Sequence, residues 1–187
     1  MTRYVMPNGV DNSGVDNSSV DVQITPAASM PVSQWAGGET RQLAIFPQSA
    51  TVAAQDFQWR FSSATVLQDG AFSQFPKHQR LLALRHGAGF TLQVDAQQQH
   101  VSSKQQVLRF AGSAKSHATL SAGAVVDINL MVDQQLQANM WSQHCSTDFQ
   151  PWAGSLPDKA TLLIYADQAA LDICLQHGEP LLQLGQG

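Results

Sequence analysis

The chain has 187 residues, enough for one large domain or two small fused ones with a sizeable core. Its formal net charge is −4 and no stretch is strongly basic, which argues against a nucleic-acid-binding protein. Charged residues make up 13% of the chain, about half the ~25% typical of soluble proteins. No apolar run approaches the ~18 residues of a membrane-spanning helix, so we expect neither nucleic acid nor a membrane as partner.

The N-terminal region is polar and rich in turn-forming residues. Residues 1–22 contain the short repeat GVDNSGVDNSSVDV, which we interpret as a disordered arm. The first residues, MTRYVMPNGVDNSG, lack the apolar core of a signal peptide. We therefore expect a cytoplasmic protein in which Cys145 and Cys174 are reduced thiols.

From Ile24 onward the pattern indicates β-structure, because short runs of Val, Ile, Leu, Phe and Thr are broken by Gly, Pro and Asp. The predicted strands are Arg41–Phe46, Gln58–Leu67, Arg80–Leu84, Phe90–Val94, Gln106–Phe110, Thr119–Leu120, Val125–Val132 and Thr161–Ala166. Only ADQAALDICLQHG near the end has a helical period, and its LDICL segment is equally compatible with a strand. Many short strands with frequent turns predict an all-β sandwich or barrel.

Two of these strands have one face of mixed character. Alternation places Arg60 on the same face as Ser62, and Asp127 on the same face as Asn129 and Met131. The opposite face of the second strand is purely apolar. A face that mixes small, polar and charged groups is either exposed surface or the lining of a pocket.

Three segments in order, SQWAGGETRQLAIFP, FQWRFSSATVLQDGAFSQFPKHQRLLALRHGAG and LSAGAVVDINLMV, resemble the HutD/Ves family. The similarity runs from about Met30 to Val132 and weakens beyond Trp141. The sequence departs from the family pattern at Ala36–Gly37, where an Asn–Gly or Asn–Ala pair is frequent. It also departs at Gln42, where an acidic residue is usual.

The resemblance implies an RmlC-like jelly roll of the cupin type, with two halves in one chain. The domain would cover residues 23–187, with a first half at about 23–115 and a second, reduced half at about 116–187. It further implies a cytoplasmic bacterial protein. In the HutD branch this would be a regulator of histidine utilisation that binds formylglutamate or urocanate. The Ves branch is associated with cold or stress response.

The histidines do not follow the pattern of a metal site. Metal-binding cupins use two histidines spaced H-x-H on one strand, and no pair among the six histidines has that spacing. We expect each histidine to be a surface or turn residue, and we predict neither metal nor cofactor. No nucleophile motif is present, since His144 and Cys145 are adjacent and would point to opposite faces of a strand. We therefore predict no catalytic residue.

Arg41, Arg60 and Arg80 fall at family positions on three successive strand regions. If they converge, their guanidinium groups are suited to clamp a carboxylate. The alternative is that they form structural pairs with Asp127, Glu39 or Asp69, or extend into solvent. Aromatic side chains would wall the same cavity or pack as ordinary core. The candidate ligand-binding residues are Trp35, Thr40, Arg41, Arg60, Ser62, Phe72, Phe75, Arg80, Asp127, Asn129 and Met131.

Three functions compete on this basis. The first is a non-enzymatic cupin, a monomer or a homodimer, that binds a small carboxylate and regulates histidine utilisation. The second is a small-acid isomerase or hydrolase with Asp127 or a histidine as general base. The third is a stress-related protein-interaction module that uses an outer sheet face.

Overall fold

A computed structural model describes residues 2–5, 21–104, 106–144, 160–167, 171–173 and 182–184. The chain divides into two units, Pro31–Trp152 and a second unit formed by Met1–Met30 with Ala153–Gly187. The described residues are almost entirely β, apart from a three-residue 3-10 helix at Ala27–Ser29. None of the helices in the described part of the chain is long and apolar enough to span a membrane.

The strands are numbered in chain order. They are β1 (Thr2–Val5), β2 (Asp21–Ile24), β3 (Val32–Trp35), β4 (Gly38–Phe46), β5 (Trp59–Val66), β6 (Gly70–Ala71), β7 (His78–His86), β8 (Phe90–Val94), β9 (Gln97–Val101), β10 (Val107–Ala111), β11 (Ser116–Leu120), β12 (Val125–Asp133), β13 (Leu171–Ile173) and β14 (Leu182–Leu184). In the second unit β1 pairs with β2, and β13 pairs with β14.

The unit Pro31–Trp152 contains two antiparallel sheets. The larger has six strands in the order β10-β7-β12-β5-β4-β3, and the smaller has four in the order β6-β11-β8-β9. An apolar core joins them, because its buried side chains come from both sheets. These side chains are Val66, Leu82, Leu84, Leu108 and Val125 from the six-stranded sheet, and Phe90, Leu92, Val101 and Ala118 from the four-stranded sheet. The fold of the described residues is almost entirely β, as predicted.

Alternation decides which residues face this core. On β5, Val66 is a core residue, so Arg60, Ser62 and Ala64 lie on the same inner face. On β12, Val125 is a core residue, and Asp127, Asn129 and Met131 therefore share its face. The polar residues of the mixed faces thus lie inside the sandwich.

The turn between β7 and β8 shows why its glycines are required. Gly87 and Gly89 have positive φ angles of 102° and 106°, a region that L side chains rarely adopt. A Cβ atom on Gly89 would also lie 2.3 Å from the carbonyl oxygen of Val101. The predicted turn at RHGAGF therefore allows β8 to run close to β9.

Two predicted boundaries fall within paired structure. The division at 115/116 lies inside the sandwich, because β11 pairs with β8, and β12 lies between β5 and β7. The arm at residues 1–22 includes β1, whose residues pair with β2, while residues 6–20 lie outside the described residues.

Thr161–Ala166 was predicted to be a strand and has no regular structure. Cys145 and Cys174 lie outside the described residues.

The core predicts a clear difference between two leucines. Leu92 is 0% exposed in the apolar core, whereas Leu67 is 62% exposed at the end of β5. Leu92→Ala should lower the free energy of unfolding by about 2–5 kcal/mol, because it leaves a cavity between the sheets. Leu67→Ala should change it by less than about 1 kcal/mol. Urea denaturation of the two variants tests this, and equal losses would contradict the assignment of the core.

Candidate functional site

The strand register brings two arginines to the two sides of one methionine. Met131 on β12 is opposite Arg60 on β5 and opposite Arg80 on β7. Directly opposite residues of paired strands share a face, so all three side chains point to the interior of the sandwich. We call this set the arginine rung.

The next two rungs toward the apolar core are also polar. Asn129 lies between Ser62 and Leu82, and Asp127 lies between Ala64 and Leu84. On β4, Gln42 is opposite Ser62 and adds an amide to the same face. Six residues thus form a polar cluster on four adjacent strands. They are Gln42, Arg60, Ser62, Arg80, Asp127 and Asn129.

Five members of the polar cluster are almost completely removed from solvent. Arg60, Ser62, Arg80, Asp127 and Asn129 are each at most 5% exposed. Charged side chains are seldom buried to this extent without a partner, because desolvation of each ion costs several kcal/mol. The partners of these groups therefore decide what the site can do.

Arg60 is held by neutral groups. Its Nε donates a 3.0 Å hydrogen bond to Oε1 of Gln42, and its Nη1 makes a longer 3.4 Å contact with Oγ of Ser62. Burial lowers the pKa of Arg60 below its ordinary value. The guanidinium is thus oriented, but neither of these two contacts supplies a compensating negative charge.

Arg80 is enclosed by aromatic rings. Its guanidinium carbon lies 5.1 Å from the ring centroid of Phe72 and 5.2 Å from that of Phe110, which is cation–π geometry. Nη1 donates a 3.3 Å hydrogen bond to the carbonyl of Ser73, but the buried Nε has no hydrogen-bond partner. Burial lowers the pKa of Arg80 to about 10. The charge of Asp127 opposes this shift, and that of Arg60 adds to it.

Asp127 is the carboxyl group of the cluster. Burial raises its pKa to about 7, against the opposing effects of Arg80 and of the Ala64 backbone. Its Oδ1 has no hydrogen-bond partner, and the same is true of Oδ1 of Asn129. The cluster therefore combines two guanidinium charges with one carboxyl group that is readily protonated near neutral pH.

This arrangement fits an anion and does not fit a metal ion. Among the residues that the structure describes, no three His, Cys, Asp or Glu side chains are grouped to hold a metal. Two guanidinium groups would also repel a cation at this place. A carboxylate, by contrast, would supply the acceptor that Nε of Arg80 lacks.

Most of the predicted residues meet in this region. Arg60, Ser62, Arg80, Asp127, Asn129 and Met131 share the inner face, and Phe72 covers Arg80. Thr40 is half-buried on the same face, opposite Ala64. Whether they bind a ligand stays a prediction.

Two predicted residues lie elsewhere, and a third lies at the border of the site. Arg41 is opposite Ser63, on the other face of the sheet, because the register shifts between Gln42 and Ala44. Trp35 packs on the apolar core and against Gly37, away from the arginine rung. Phe75 belongs to a second core cluster with Ala50, Phe57 and Met131, and it borders the arginine rung through Met131.

The predicted partners of the arginines are also corrected. Arg60 bonds to Gln42 and Ser62, whereas Asp127 lies on a different rung and interacts electrostatically with Arg80. Glu39 accepts a hydrogen bond from Gln34, and Asp69 accepts one from the backbone of Leu120. Asp127 is therefore not the direct counter-charge of Arg60.

Two residues of the site were missed by sequence analysis. Gln42 shares the inner face only because of the register shift on β4, and no feature of the sequence predicts that shift. His78 was expected at the surface but is 1% exposed, stacked on Phe57 and on the same face as Arg80. Its Nε2 donates to the carbonyl of Phe57, and its buried Nδ1 has no hydrogen-bond partner. The sequence did contain one signal of this burial, because His78 and Arg80 are two residues apart on one strand and their side chains therefore share a face.

A crevice lies near the site without being a ligand cavity. It has a volume of about 50 Å³, room for one or two water molecules, and reaches the aromatic ring that covers Arg80. Its lining residues are Val94, Gln97, Gln99, Leu108, Arg109 and Phe110.

The raised pKa of Asp127 predicts a specific pH dependence of stability. Between the ordinary value of 3.8 and about 7, the folded protein keeps a proton that the unfolded chain releases. The free energy of unfolding should therefore fall as the pH rises through this window. Asp127→Asn should remove this part of the pH dependence, a difference of as much as ~4 kcal/mol between its two ends. Urea denaturation across the window measures it, and an unchanged slope would refute the assignment.

Comparison with known proteins places the chain in a family. The HutD family model matches residues 27–187. Protein Ves of Citrobacter koseri is 37% identical over 105 residues, which are 54% of this chain and 53% of that protein. Protein Ves of Cronobacter sakazakii is 34% identical over 105 residues, 54% of this chain and 55% of that protein. The chain thus spans about half the length of the curated relatives it matches.

Solved structures agree with this result. A conserved protein of unknown function from Pseudomonas aeruginosa PAO1 is 31% identical with a TM-score of 0.53, covering 58% of this chain and 56% of that one. HutD from Pseudomonas fluorescens SBW25, determined in a formate condition, is 28% identical with a TM-score of 0.52, covering 58% of this chain and 59% of that one. The family match extends over most of the chain, and the chain therefore belongs to the HutD family.

Proposed function

We propose that this protein binds a small carboxylate at the arginine rung and acts as a non-catalytic regulator linked to histidine utilisation. The single observation that carries the proposal is the buried excess of positive charge. Arg60 and Arg80 are both buried on one face, and the one carboxyl group of the polar cluster, Asp127, has a pKa raised to about 7.

The free edge of Arg80 supports a carboxylate as the ligand. Its Nε has no partner, while its guanidinium is held between Phe72 and Phe110. A charge-assisted hydrogen bond to a carboxylate contributes about 1.5–3 kcal/mol net, so two such bonds are sufficient for useful affinity. Because the aromatic rings already fix the guanidinium, little conformational entropy is lost when the ligand binds.

The link to histidine utilisation rests on the family. The chain belongs to the HutD family, and a solved relative from Pseudomonas fluorescens SBW25 is itself named HutD. Formylglutamate and urocanate both carry the carboxylate that the arginine rung would accept. Histidine and glutamate are the natural comparison ligands.

One observation favours an enzyme as the second candidate function. A general base works best when its pKa lies near the working pH, and burial raises the pKa of Asp127 to about 7. A small-acid isomerase or hydrolase would use Arg60 and Arg80 to hold the substrate and Asp127 to accept a proton. In that case Asp127→Asn would abolish turnover while leaving carboxylate binding in place.

The test of the proposed function is Arg60→Met. This change removes a buried charge whose identified partners are neutral, at similar volume, so the apoprotein should keep its stability or gain about 1–4 kcal/mol. The stabilisation by ligand, which scales as RT ln(1 + [L]/Kd), should be lost. Thermal shift with formylglutamate, urocanate, histidine and glutamate measures both effects.

Arg109→Met is the matched control. Arg109 is exposed on β10 and bonds to Gln79, outside the polar cluster, so its replacement should leave the ligand response intact. A ligand response that survives in Arg60→Met would refute the proposal. Turnover of the ligand would favour the enzymatic alternative.

A further inference from the structure

Gln42 occupies a critical position beside Arg60. It lies on β4 opposite Ser62, and its Oε1 accepts a 3.0 Å hydrogen bond from Nε of Arg60. The register shift between Gln42 and Ala44 turns the Gln42 side chain toward the interior. A half-buried amide thus holds one edge of a buried guanidinium.

The chemistry of an amide has two consequences for Arg60. Gln42 fixes the plane of the guanidinium through Nε, and its neutral oxygen does not cancel the positive charge. The opposite edge makes a weaker contact, the 3.4 Å approach of Nη1 to Oγ of Ser62. Arg60 therefore keeps its full charge and a weakly engaged edge for a ligand.

Arg80 presents a complementary arrangement. Its Nε edge is unpartnered, and it is on the same rung as Arg60, across Met131. The Cα atoms of the two arginines are two strand spacings apart, about 9.5 Å, and both side chains extend into the interior. The two arginines thus lie on either side of Met131, and each has an edge that its neighbours bond weakly or not at all.

We infer that Gln42 is a specificity-determining residue that reserves the charge of Arg60, so that the arginine rung selects a dianion, specifically a dicarboxylate with one carboxylate for each arginine. This inference rests on the proposed function and specifies its substrate class. A carboxylate at position 42 would form an internal ion pair with Arg60 and leave one arginine for the ligand.

The experiment compares two probes that differ by one charge. Glutarate carries two carboxylates, and monomethyl glutarate has the same skeleton with one carboxylate esterified. Titration calorimetry slightly below neutral pH, where both probes are ionised and Asp127 still holds its proton, should give an affinity of the wild-type protein at least about tenfold higher for glutarate. In Gln42→Glu this preference should disappear, mainly through weaker binding of glutarate.

Gln42→Met separates charge from positioning. It removes the hydrogen bond to Arg60 without adding a negative charge, so both probes should bind more weakly while the preference for glutarate remains. The thermal midpoint of each variant shows that it is folded. Gln42→Glu should be at least as stable as the wild type, because its carboxylate would pair with Arg60.

The outcomes distinguish this inference from the function on which it depends. If the wild-type protein binds both probes equally, or if Gln42→Glu retains the preference, the role of Gln42 is refuted and carboxylate binding stands. If the wild-type protein binds neither probe, the proposed function fails and the role of Gln42 falls with it.

Discussion

The site depends on the placement of β12 in the centre of the six-stranded sheet. Its pairing with both β5 and β7 brings together residues that are far apart in the sequence, so that Met131 has Arg60 on one side and Arg80 on the other. The same pairing places Val125, at the start of β12, in the apolar core. Along β12, the interior of the sandwich therefore changes from apolar to polar.

The cost of this arrangement is desolvation. Burial lowers the pKa of both arginines and raises that of Asp127, which means that each charged form is less stable inside the protein than in water. Replacement of buried ions by apolar side chains of similar volume is often neutral or stabilising. Burial of two guanidinium groups is therefore weak evidence for a role in stability, and this favours a role in binding.

The sequence was sufficient to predict which residues of a strand share a face, but it was not sufficient to predict the register of every strand. Alternation alone placed Arg60 with Ser62, and Asp127 with Asn129, on shared faces, and both pairs do lie on the inner face. It failed on β4, where Arg41 and Ile45 have the same parity yet face opposite sides. A bulge between Gln42 and Ala44 inserts one residue, so Gln42 and Ile45 point inward while Arg41 points outward. His78 was missed for a different reason, since its burial depends on Phe57, which is 21 residues away in the sequence.

The two arginines are stabilised in the interior by different neighbours. This difference determines which edge of each guanidinium group is open to a ligand. Arg80 is stabilised by the ring faces of Phe72 and Phe110, which take the place of water around its charge and form no hydrogen bond with its Nε. Arg60 is stabilised by the amide of Gln42, which accepts a hydrogen bond from its Nε. The opposite edge of the guanidinium group is only weakly bonded. A lysine ammonium can also lie over an aromatic ring, but it has no planar set of donors that leaves a second edge for a ligand. The requirement for arginine at both positions therefore follows from the geometry of the guanidinium group and not from its charge alone.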